Sequence, residues 1–333
     1  MIRVPSEHVQ EVLREILKKL DFSPERAVLC ARLFTESSRD GVHSHGLGRF
    51  PRFVRGIRTG LVNVHATPEL AAARGSLERW NGRGGVGNLN AWQSMERAIA
   101  LARMHGVGWV ALAHTNHWMR GGTYGWQAAE AGVIGICWTN TMPNLPPWGS
   151  SLPLLGNNPL VIAVPRPEGH LVLDMAMSQF SYGALESYRS RGEPLPVDGG
   201  FDSAGRLTRD PAAIEASGRP LAIGYWKGSG LALMLDLLAG LLSGGCVTHE
   251  IVADPERETN LSQVFIALDL SSFGNRAGAA NIADQVVSHL QSSLPAGEQV
   301  HYPGQNVLKI RNESLAKGIG VDPALWKEIT EMR

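Results

Sequence analysis

The chain has 333 residues, with 31 Lys and Arg balancing 31 Asp and Glu, so its formal net charge is zero. The length suffices for about two domains with a large core, and the balanced charge without a basic run argues against a surface that binds nucleic acid. The 3 cysteines are scattered and lack CxxC spacing, which indicates neither a disulfide framework nor a zinc site. The N-terminus has the pattern of an amphipathic helix rather than a signal peptide, and no apolar stretch is long enough to span a bilayer, so we expect a cytoplasmic protein.

Two helices are predicted at the start of the chain. The first, with Ser6 as its cap, has apolar residues at helical spacing from Val9 to Leu20. The Ser-Pro-Glu sequence at 23–25 is typical of the start of a second helix, which is predicted to end near Ser38. The chain then enters a loop rich in Gly and Pro, just past a helix C-terminus, where functional residues are often found.

From about residue 70 the pattern alternates between strands and helices. Residues 189–210 are rich in Gly, Pro and Asp and are predicted to be a loop, whereas 228–243 form a helix that is apolar on nearly every side and is expected to be buried. This order predicts an α/β (α+β) protein in which helical terminal segments pack around a central mixed sheet. The predicted strands are 76–80, 107–113, 133–140, 160–164, 171–175 and 264–270, and the predicted helices between them include 89–105 and 124–130.

Residues 82–87 read GRGGVG, a formal match to the G-x-G-x-x-G dinucleotide fingerprint between a strand and a helix. A Rossmann site also needs an acidic residue at the end of the next strand, where it binds the ribose. Residues 113–117 at that position read AHTNH and contain no carboxylate. The context therefore favours a glycine-rich turn over a Rossmann site.

The segment from Gly41 to Arg52 contains two histidines, a serine and two arginines. Histidine changes its protonation state near neutral pH, and the arginine guanidinium binds a carboxylate through two parallel hydrogen bonds. An acid–base group beside a carboxylate clamp is what an enzyme acting on oxo or hydroxy acids needs. The alternative is a turn whose charged side chains face water. The candidate residues are His43, Ser44, His45, Arg49 and Arg52.

Two further segments contain residue types that suit an anionic ligand. In the segment 116–122, a strand ends and a helix begins, so His117, Arg120 and the free helix amides favour an anion. Trp226 and Lys227 precede the apolar helix, where Lys227 is either a phosphate ligand or an ordinary solvated lysine. A metal site built from the histidines of the first two segments is disfavoured, because their spacing matches no standard ligand set.

Several long strings occur in a consistent order along the chain. Residues 41–46 (GVHSHG) and 49–53 (RFPRF), and the run 116–141 (NHWMRGGTYGWQAAEAGVIGICWTNT), are the most distinctive. Together they resemble the type-2 malate/L-lactate dehydrogenase family of NAD(P)-dependent oxidoreductases, and the long run is similar to its diketogulonate branch. Further strings similar to that branch lie at 146–149, 180–183, 195–201 and 224–230.

The resemblance implies a fold that is not a Rossmann fold, with a helical substrate-side region and a mixed-sheet dinucleotide-binding domain. It suggests that residues 1–75, joined by 300–333, form the helical region and that 76–299 form the cofactor-binding domain. It also implies a homodimer with the active site near the interface. His45 matches the proton donor of the family. The implied cofactor-binding residues are His170, Leu171, Val172, Leu173, Asp174, Met175, Ala176, Trp226, Lys227, Gly304, Gln305 and Asn306.

The expected substrate contacts follow from the chemistry of the same segments. We expect Arg49 or Arg52 to hold a substrate carboxylate, and Ser44 and His117 to bind oxygens of a sugar-acid chain. His43 is the weaker candidate for an acid–base role. Gly304 is followed by Gln-Asn where relatives often have an acid, and the GNNP at 156–159 departs from the usual G-T-N-P, so the preference between NADH and NADPH stays open.

The expected reaction is reduction of a 2-oxo sugar acid, 2,3-diketo-L-gulonate to 3-keto-L-gulonate, with a hydride from NADH or NADPH and a proton from His45. One alternative is a simpler 2-oxo or 2-hydroxy acid of the malate or lactate type. A remote alternative is a protein that binds sugar acids without chemistry. In each case the expected partner is a small molecule, with no metal, nucleic acid or membrane involved.

Overall fold

The computed structural model describes residues 1–273, 276–292 and 300–333. The chain starts with one short strand and three helices. Ser23 caps the second helix, as predicted, by accepting a hydrogen bond from the Arg26 N–H, whereas the prediction of Ser6 as a cap is wrong: Pro5 precedes the first helix and no side chain caps it. These elements are β1 (Ile2–Val4), α1 (Ser6–Lys19), α2 (Pro24–Arg39) and α3 (Phe50–Arg58).

A mixed α/β region follows, and the chain returns to helices at its C-terminus. The strands of the mixed region are β2 (Glu69–Arg74), β3 (Leu77–Asn81), β4 (Val107–Thr115), β5 (Ile134–Thr139), β6 (Pro143–Leu145), β7 (Leu155–Gly156), β8 (Leu160–Val164), β9 (Leu171–Met175), β10 (Gly200–Phe201), β11 (Leu207–Thr208) and β12 (Leu261–Leu268). Its helices are α4 (Gly87–His105), α5 (Gly122–Glu130), α6 (Tyr182–Arg191), α7 (Pro211–Ser217), α8 (Trp226–Ser243) and α9 (Arg276–Ser292). The C-terminal elements are α10 (Gln305–Lys317), β13 (Ile319–Val321) and α11 (Pro323–Glu331).

Seven strands form the central sheet in the order β2-β3-β4-β12-β5-β8-β9. Only the pairing of β3 with β4 is parallel among these strands, and the other pairings are antiparallel. A Rossmann sheet is mostly parallel with a different strand order, so the prediction of a mixed, non-Rossmann α/β fold is confirmed. The strand β9 lies at one edge of the sheet.

Helices cover both faces of the sheet. Alternate residues of β4 and β12 point to opposite sides, as the period of two in a strand requires. Leu112 and Phe265 face a core that contains α4 and α5, whereas Ala111 and Val264 face a core that contains α8.

The prediction that the apolar helix 228–243 is buried is wrong for half of its circumference. Helix α8 buries Ala232, Leu235 and Ala239 against the sheet, but Leu241 is 70% exposed and Met234 is 51% exposed. One helix can present only one side to one sheet, and the described residues of the chain offer no second layer for the opposite side. None of the helices among the described residues is long and apolar enough to cross a membrane.

The glycine-rich string 82–87 is a tightly packed turn between β3 and α4. A Cβ added to Gly87 would collide with the carbonyl oxygens of Asn116 and His117 at the end of β4. The Asn116 amide donates hydrogen bonds to the carbonyls of Gly84 and Gly85, at 2.8 and 2.9 Å. The glycines therefore allow the turn to pack against the segment that follows β4, which agrees with the prediction of a turn.

The N- and C-terminal elements share a core. β1 pairs with β13 in antiparallel register, Ile2 opposite Val321, and the side chains of α1, α2 and α3 pack with those of α11. β2 pairs with β3, so residues before the predicted boundary at 75 belong to the sheet, and the boundary at 299 falls on residues outside the described part. The division into two domains stays a prediction.

Candidate active site

The histidine segment follows α2 as two single helical turns, His43–His45 and Leu47–Arg49, within the region predicted to be a loop. Ser38 in the last turn of α2 accepts a hydrogen bond from the Leu47 N–H at 2.8 Å. A Cβ on Gly46 would collide with the same Ser38 hydroxyl, so glycine permits this close approach. The segment is thus held firmly on the end of α2.

His45 and His117 form a stacked pair, with ring centroids 5.6 Å apart and ring planes inclined by 19°. His117 lies just past the end of β4, so the pair joins the helical segment to the sheet. The Nδ1 atom of His117 accepts a hydrogen bond from the Met119 N–H at 3.0 Å, which leaves Nε2 as the donor of its neutral ring. The Ser44 hydroxyl lies 3.1 Å from Nδ1 of His45, which leaves Nε2 of His45 for a ligand.

Both rings are neutral near pH 7. Burial, with the cations of Arg49 and Arg120, lowers the pKa of His45 from 6.5 to about 4. Burial, with the charge of Arg49 and the neighbouring His45 ring, lowers the pKa of His117 well below its ordinary value. Strongly perturbed pKa values are typical of functional sites.

The two candidate arginines differ in their surroundings. Arg49 lies 3.6 Å from Glu258, and both side chains are largely buried. Arg52 lies 2.6 Å from Glu256, and both of these side chains are substantially exposed. Arg49 is therefore the arginine whose charge acts in a drier environment, where electrostatic interactions are stronger.

A cleft of about 840 Å³ opens beside the segment. Its walls come from the histidine segment, α3, the start of α6 and α11. Gly183 of α6 faces Ser44, since a Cβ on Gly183 would lie 3.4 Å from the Ser44 hydroxyl. Residues on its walls include His43, Ser44, Arg49, Arg52, Ser181 and Glu186.

The three segments implied to bind the cofactor converge on the edge strand β9. The Val172 N–H donates to the carbonyl of Pro303 at 3.0 Å, which docks the loop 303–306 on one end of the strand. The Ile223 N–H donates to the carbonyl of Met177 at 2.8 Å, which brings the segment before α8 to the other end. The structure thus places 304–306 and the segment that leads to 226–227 at opposite ends of β9.

The residues along β9 fit an extended ligand with aromatic and anionic parts. Gly304 has a φ of +97°, and a Cβ there would lie 3.0 Å from the His170 carbonyl oxygen, so glycine allows the loop to approach the strand. Trp226 is 65% exposed, and Lys227 follows it at the start of α8. The N–H groups of Lys227 and Gly228 already donate to the carbonyls of Gly224 and Ile223, so the cationic group at this end is the Lys227 side chain. The Asp174 carboxylate accepts a hydrogen bond from the Gly122 N–H at 2.8 Å, and burial raises its pKa.

Two predicted residues have roles in this structure that the sequence did not indicate. The Gln305 side chain accepts a hydrogen bond from the Tyr302 N–H at 3.2 Å and so stabilises its own loop. Arg120, expected to favour an anion, binds the buried carboxylate of Asp40 at 2.6 Å. Asp40 contacts Arg120, Glu258 contacts Arg49, and Arg311 contacts Asp40. These three residues were missed, because partners distant in sequence leave no local pattern.

Comparison with known proteins identifies the family of the chain. Residues 4–330 match the family model described as malate/L-lactate dehydrogenase. The chain belongs to this family. It is 42% identical over 330 residues to the 2,3-diketo-L-gulonate reductase of Citrobacter koseri, covering 98% of this chain and 99% of that protein, and 41% identical with the same coverage to the enzyme of that name from Klebsiella pneumoniae.

Two solved structures of dehydrogenases have the same fold as this chain. The sulfolactate dehydrogenase of Methanocaldococcus jannaschii superposes with a TM-score of 0.92 at 28% identity, covering 99% of this chain and 96% of that one. The malate dehydrogenase of Pyrococcus horikoshii OT3 has a TM-score of 0.90 at 29% identity, with coverage of 99% and 94%. The fold described above is thus shared with these two dehydrogenases.

Membership makes the chain an oxidoreductase of a nicotinamide-dependent family that acts on small molecules. The remote alternative of a sugar-acid-binding protein without chemistry is therefore wrong. The prediction of the malate/L-lactate dehydrogenase family, with a likeness to its diketogulonate reductases, is confirmed.

Proposed function

We propose that the chain reduces 2,3-diketo-L-gulonate to 3-keto-L-gulonate with NADH or NADPH. The observation that carries this proposal is the 42% identity to a reductase of that name over nearly the full length of both chains. The carbonyl carbon gains a hydride and its oxygen gains a proton, which yields a hydroxyl group. When bound, the nicotinamide supplies the hydride.

His45 supplies the proton in this proposal. Its Nε2 atom lies on the opposite side of the ring from the Nδ1 atom that contacts Ser44, and the ring stacks on His117. The neutral ring of the free site must gain a proton before it can act as an acid. An anionic substrate beside Arg49 would offset one of the cations that lower the pKa of His45, and so would favour that proton.

Arg49 is the better candidate for the substrate carboxylate. Its charge lowers the pKa of both His45 and His117. The charge of Arg52 lowers the pKa of His117 but is not among the causes for His45. His117 would donate from Nε2 to a substrate oxygen, and Ser44 would bind a further oxygen. Arg52, which pairs with the exposed Glu256, would act at the mouth of the site.

The cofactor would lie along β9. Residues His170 to Ala176 would form one wall, Trp226 and Lys227 would hold the end near α8, and Gly304 to Asn306 would hold the other end. The convergence of these segments on one sheet edge supports this placement. The preference between NADH and NADPH is a question for the assay below.

We infer further that the enzyme is a homodimer. The exposed side of α8 carries Leu233, Met234, Leu237 and Leu241, all at least 41% exposed in the single chain. A contiguous apolar patch of this kind is typical of a protein–protein interface. Since α8 begins at Trp226, a partner seated on this face would border the proposed cofactor site.

The second candidate is a simpler 2-oxo acid. The similarity to a sulfolactate dehydrogenase and a malate dehydrogenase, both under 30% identical, favours a substrate smaller than a sugar acid. The higher identity to the diketogulonate reductases favours the first candidate.

A steady-state comparison tests the proposal. The purified chain is assayed with 2,3-diketo-L-gulonate, oxaloacetate and pyruvate, each with NADH and with NADPH, by the loss of reduced nicotinamide absorbance. We expect the highest kcat/KM with 2,3-diketo-L-gulonate. We also expect His45→Gln to lower kcat by about 10²–10⁴-fold without weakening NADH binding, whereas His43→Gln should have a much smaller effect. A preference for oxaloacetate or pyruvate would favour the second candidate, and full activity of His45→Gln would overturn the role of His45.

A further inference from the structure

Asp40 lies directly before the histidine segment, and its side chain is 2% exposed. Its two carboxylate oxygens accept four hydrogen bonds from three arginines. The donors are Arg39 Nε at 2.9 Å, Arg120 Nη1 at 2.6 Å, and Arg311 Nε and Nη2 at 2.8 and 2.7 Å. A buried carboxylate is stable only when it is paired and hydrogen-bonded in this way.

The partners of Asp40 lie on the segments that build the site. Arg120 comes three residues after His117, immediately before α5. Arg311 lies on α10, which Gly304 precedes and whose first turn contains Gln305 and Asn306. Asp40 itself precedes the segment of His45. One carboxylate therefore connects the proposed acid, the histidine that stacks on it and the proposed cofactor loop.

Arg311 also continues toward the cofactor strand. Its guanidinium lies over the ring of Trp126, 4.3 Å from the centroid. Trp126 in turn contacts His170, with ring centroids 5.6 Å apart, and His170 begins the proposed cofactor segment. Asp40, Arg311, Trp126 and His170 thus form a continuous set of contacts from α2 to the start of β9.

Arg120 lies at the other end of this set. Its side chain is 4% exposed, and its charge acts on both His45 and Asp174. Its Nε atom is buried and has no hydrogen-bond partner among the described residues, so Asp40 is the carboxylate that holds the guanidinium. The charged and titratable groups acting on His45 are Arg49 from the turn before α3, Arg120 from the turn before α5, and the stacked His117.

We propose that Asp40 is a positioning residue for the reduction, because it fixes Arg120, three residues after His117, and fixes α10, with the cofactor loop, against the same segment. The inference rests on the proposed function, in which His45 is the acid and 304–306 bind the cofactor. Its role is to set the distance between the acid and the cofactor. A displacement of about 1 Å at such a site can cost about 10²-fold in rate.

Asp40→Asn keeps the shape of the side chain and removes the charge that holds three guanidiniums. We expect kcat to fall by about tenfold to a hundredfold and the Kd for NADH, measured by fluorescence, to rise. Glu78→Gln is the matched control, since Glu78 is a 3% exposed carboxylate bound by Arg97 at 2.6 and 2.9 Å and lies outside the site. The control should lose thermal stability as Asp40→Asn does, but keep the wild-type kcat and NADH affinity. Equal kinetics for Asp40→Asn and wild type would overturn the proposal.

Substitutions of Arg120 test the connection to His45 without relying on turnover or on the folding of Asp40→Asn. In the ligand-free protein, the titration of His45 is followed by NMR of its ring proton. Arg120→Met removes a cation, so the midpoint of His45 should move to higher pH, whereas Arg120→Lys should leave it nearly unchanged. An unchanged midpoint in Arg120→Met would contradict the proposal.

A double-mutant cycle distinguishes positioning from a general loss of stability. If Asp40 acts partly through Arg120, the loss of kcat in Asp40→Asn/Arg120→Met should be smaller than the product of the fold-losses in the two single variants. Multiplicative effects would show that the two residues act independently and would overturn the proposal. The NMR midpoint and the NADH affinity are measured without substrate, so they still test Asp40 and Arg120 if the assigned substrate is wrong. Failure of the proposed function can therefore be distinguished from failure of this inference.

Discussion

His45 owes its properties to neighbours that are far apart in sequence. Arg49 follows it by four residues, but Arg120 and His117 come from the far end of β4 and the turn after it. A histidine whose pKa is about 4 is neutral near pH 7 and, between about pH 4 and 6.5, carries fewer protons in the folded protein than in the unfolded chain. Stability from this residue is therefore fully present above pH 6.5 and declines as the pH falls toward 4.

This environment makes a prediction for ligand binding at the residue scale. An anion beside Arg49 would raise the pKa of His45, so binding of oxamate, an unreactive 2-oxo acid analogue, to the NADH complex should be accompanied by proton uptake at pH values near the titration of His45. Isothermal titration calorimetry in two buffers of different ionisation enthalpy measures the uptake. His45→Gln is the control and should bind oxamate without proton uptake. An enthalpy that is independent of the buffer in the wild-type protein would contradict the prediction.

At the scale of elements, the edge strand β9 organises the proposed cofactor site. The loop 303–306 depends on glycine at 304, because its φ is +97° and there is no space for a side chain against the His170 carbonyl. The sequence offered Gly304 only through family resemblance. The close approach to β9 supplies the physical reason for it.

Gly304→Ala should therefore displace the loop from β9. We expect the KM for NADH to rise by about tenfold or more, since a strained αL or related conformation costs about 1–3 kcal/mol, and the substrate KM to change less. Gly60→Ala is the matched control, since Gly60 has a φ of +76° but nothing within 4 Å of the added Cβ. Both variants should lose some thermal stability, but Gly60→Ala should keep the wild-type KM for NADH. An unaltered KM in Gly304→Ala would remove this loop from the cofactor site.

At the scale of the whole molecule, the exposed side of α8 is the largest difference between expectation and structure. An apolar helix is read as buried from composition alone, but burial depends on how many layers surround it. In the single chain, the sheet covers one side and the other side carries Leu241 at 70% exposure.

The inferred homodimer predicts that a charge on this face separates the subunits. Leu241→Asp should lower the mass in solution from twice 36.0 kDa to 36.0 kDa, since burying an unpaired carboxylate in an interface is unfavourable. Light scattering after size-exclusion chromatography measures the mass. Leu315→Asp is the control, because Leu315 on α10 is 58% exposed but lies outside the α8 face, and it should leave the mass unchanged. A monomeric wild-type protein would contradict the inference.

The sequence determined most of the elements that carry the site. Strands β8 and β9 begin and end at the predicted residues, and the helix start at Ser23 follows from local capping chemistry. The helices α3, α6 and α7 and the strand β2 were missed. All six residues of β2 are exposed, so no alternating apolar pattern marks it. Family resemblance, rather than periodicity, pointed to His45 and the residues of the proposed cofactor site.

Tertiary structure alone decided how these residues meet. Local patterns reach only a few residues along the chain, whereas the His45–His117 pair spans 72 positions and the Asp40–Arg311 contact spans 271. The charge state of His45 depends on burial and on two arginines from different segments, neither of which composition reveals. For the same reason the sequence gives the apolar character of α8, but only packing on one sheet face leaves its other side free for a partner.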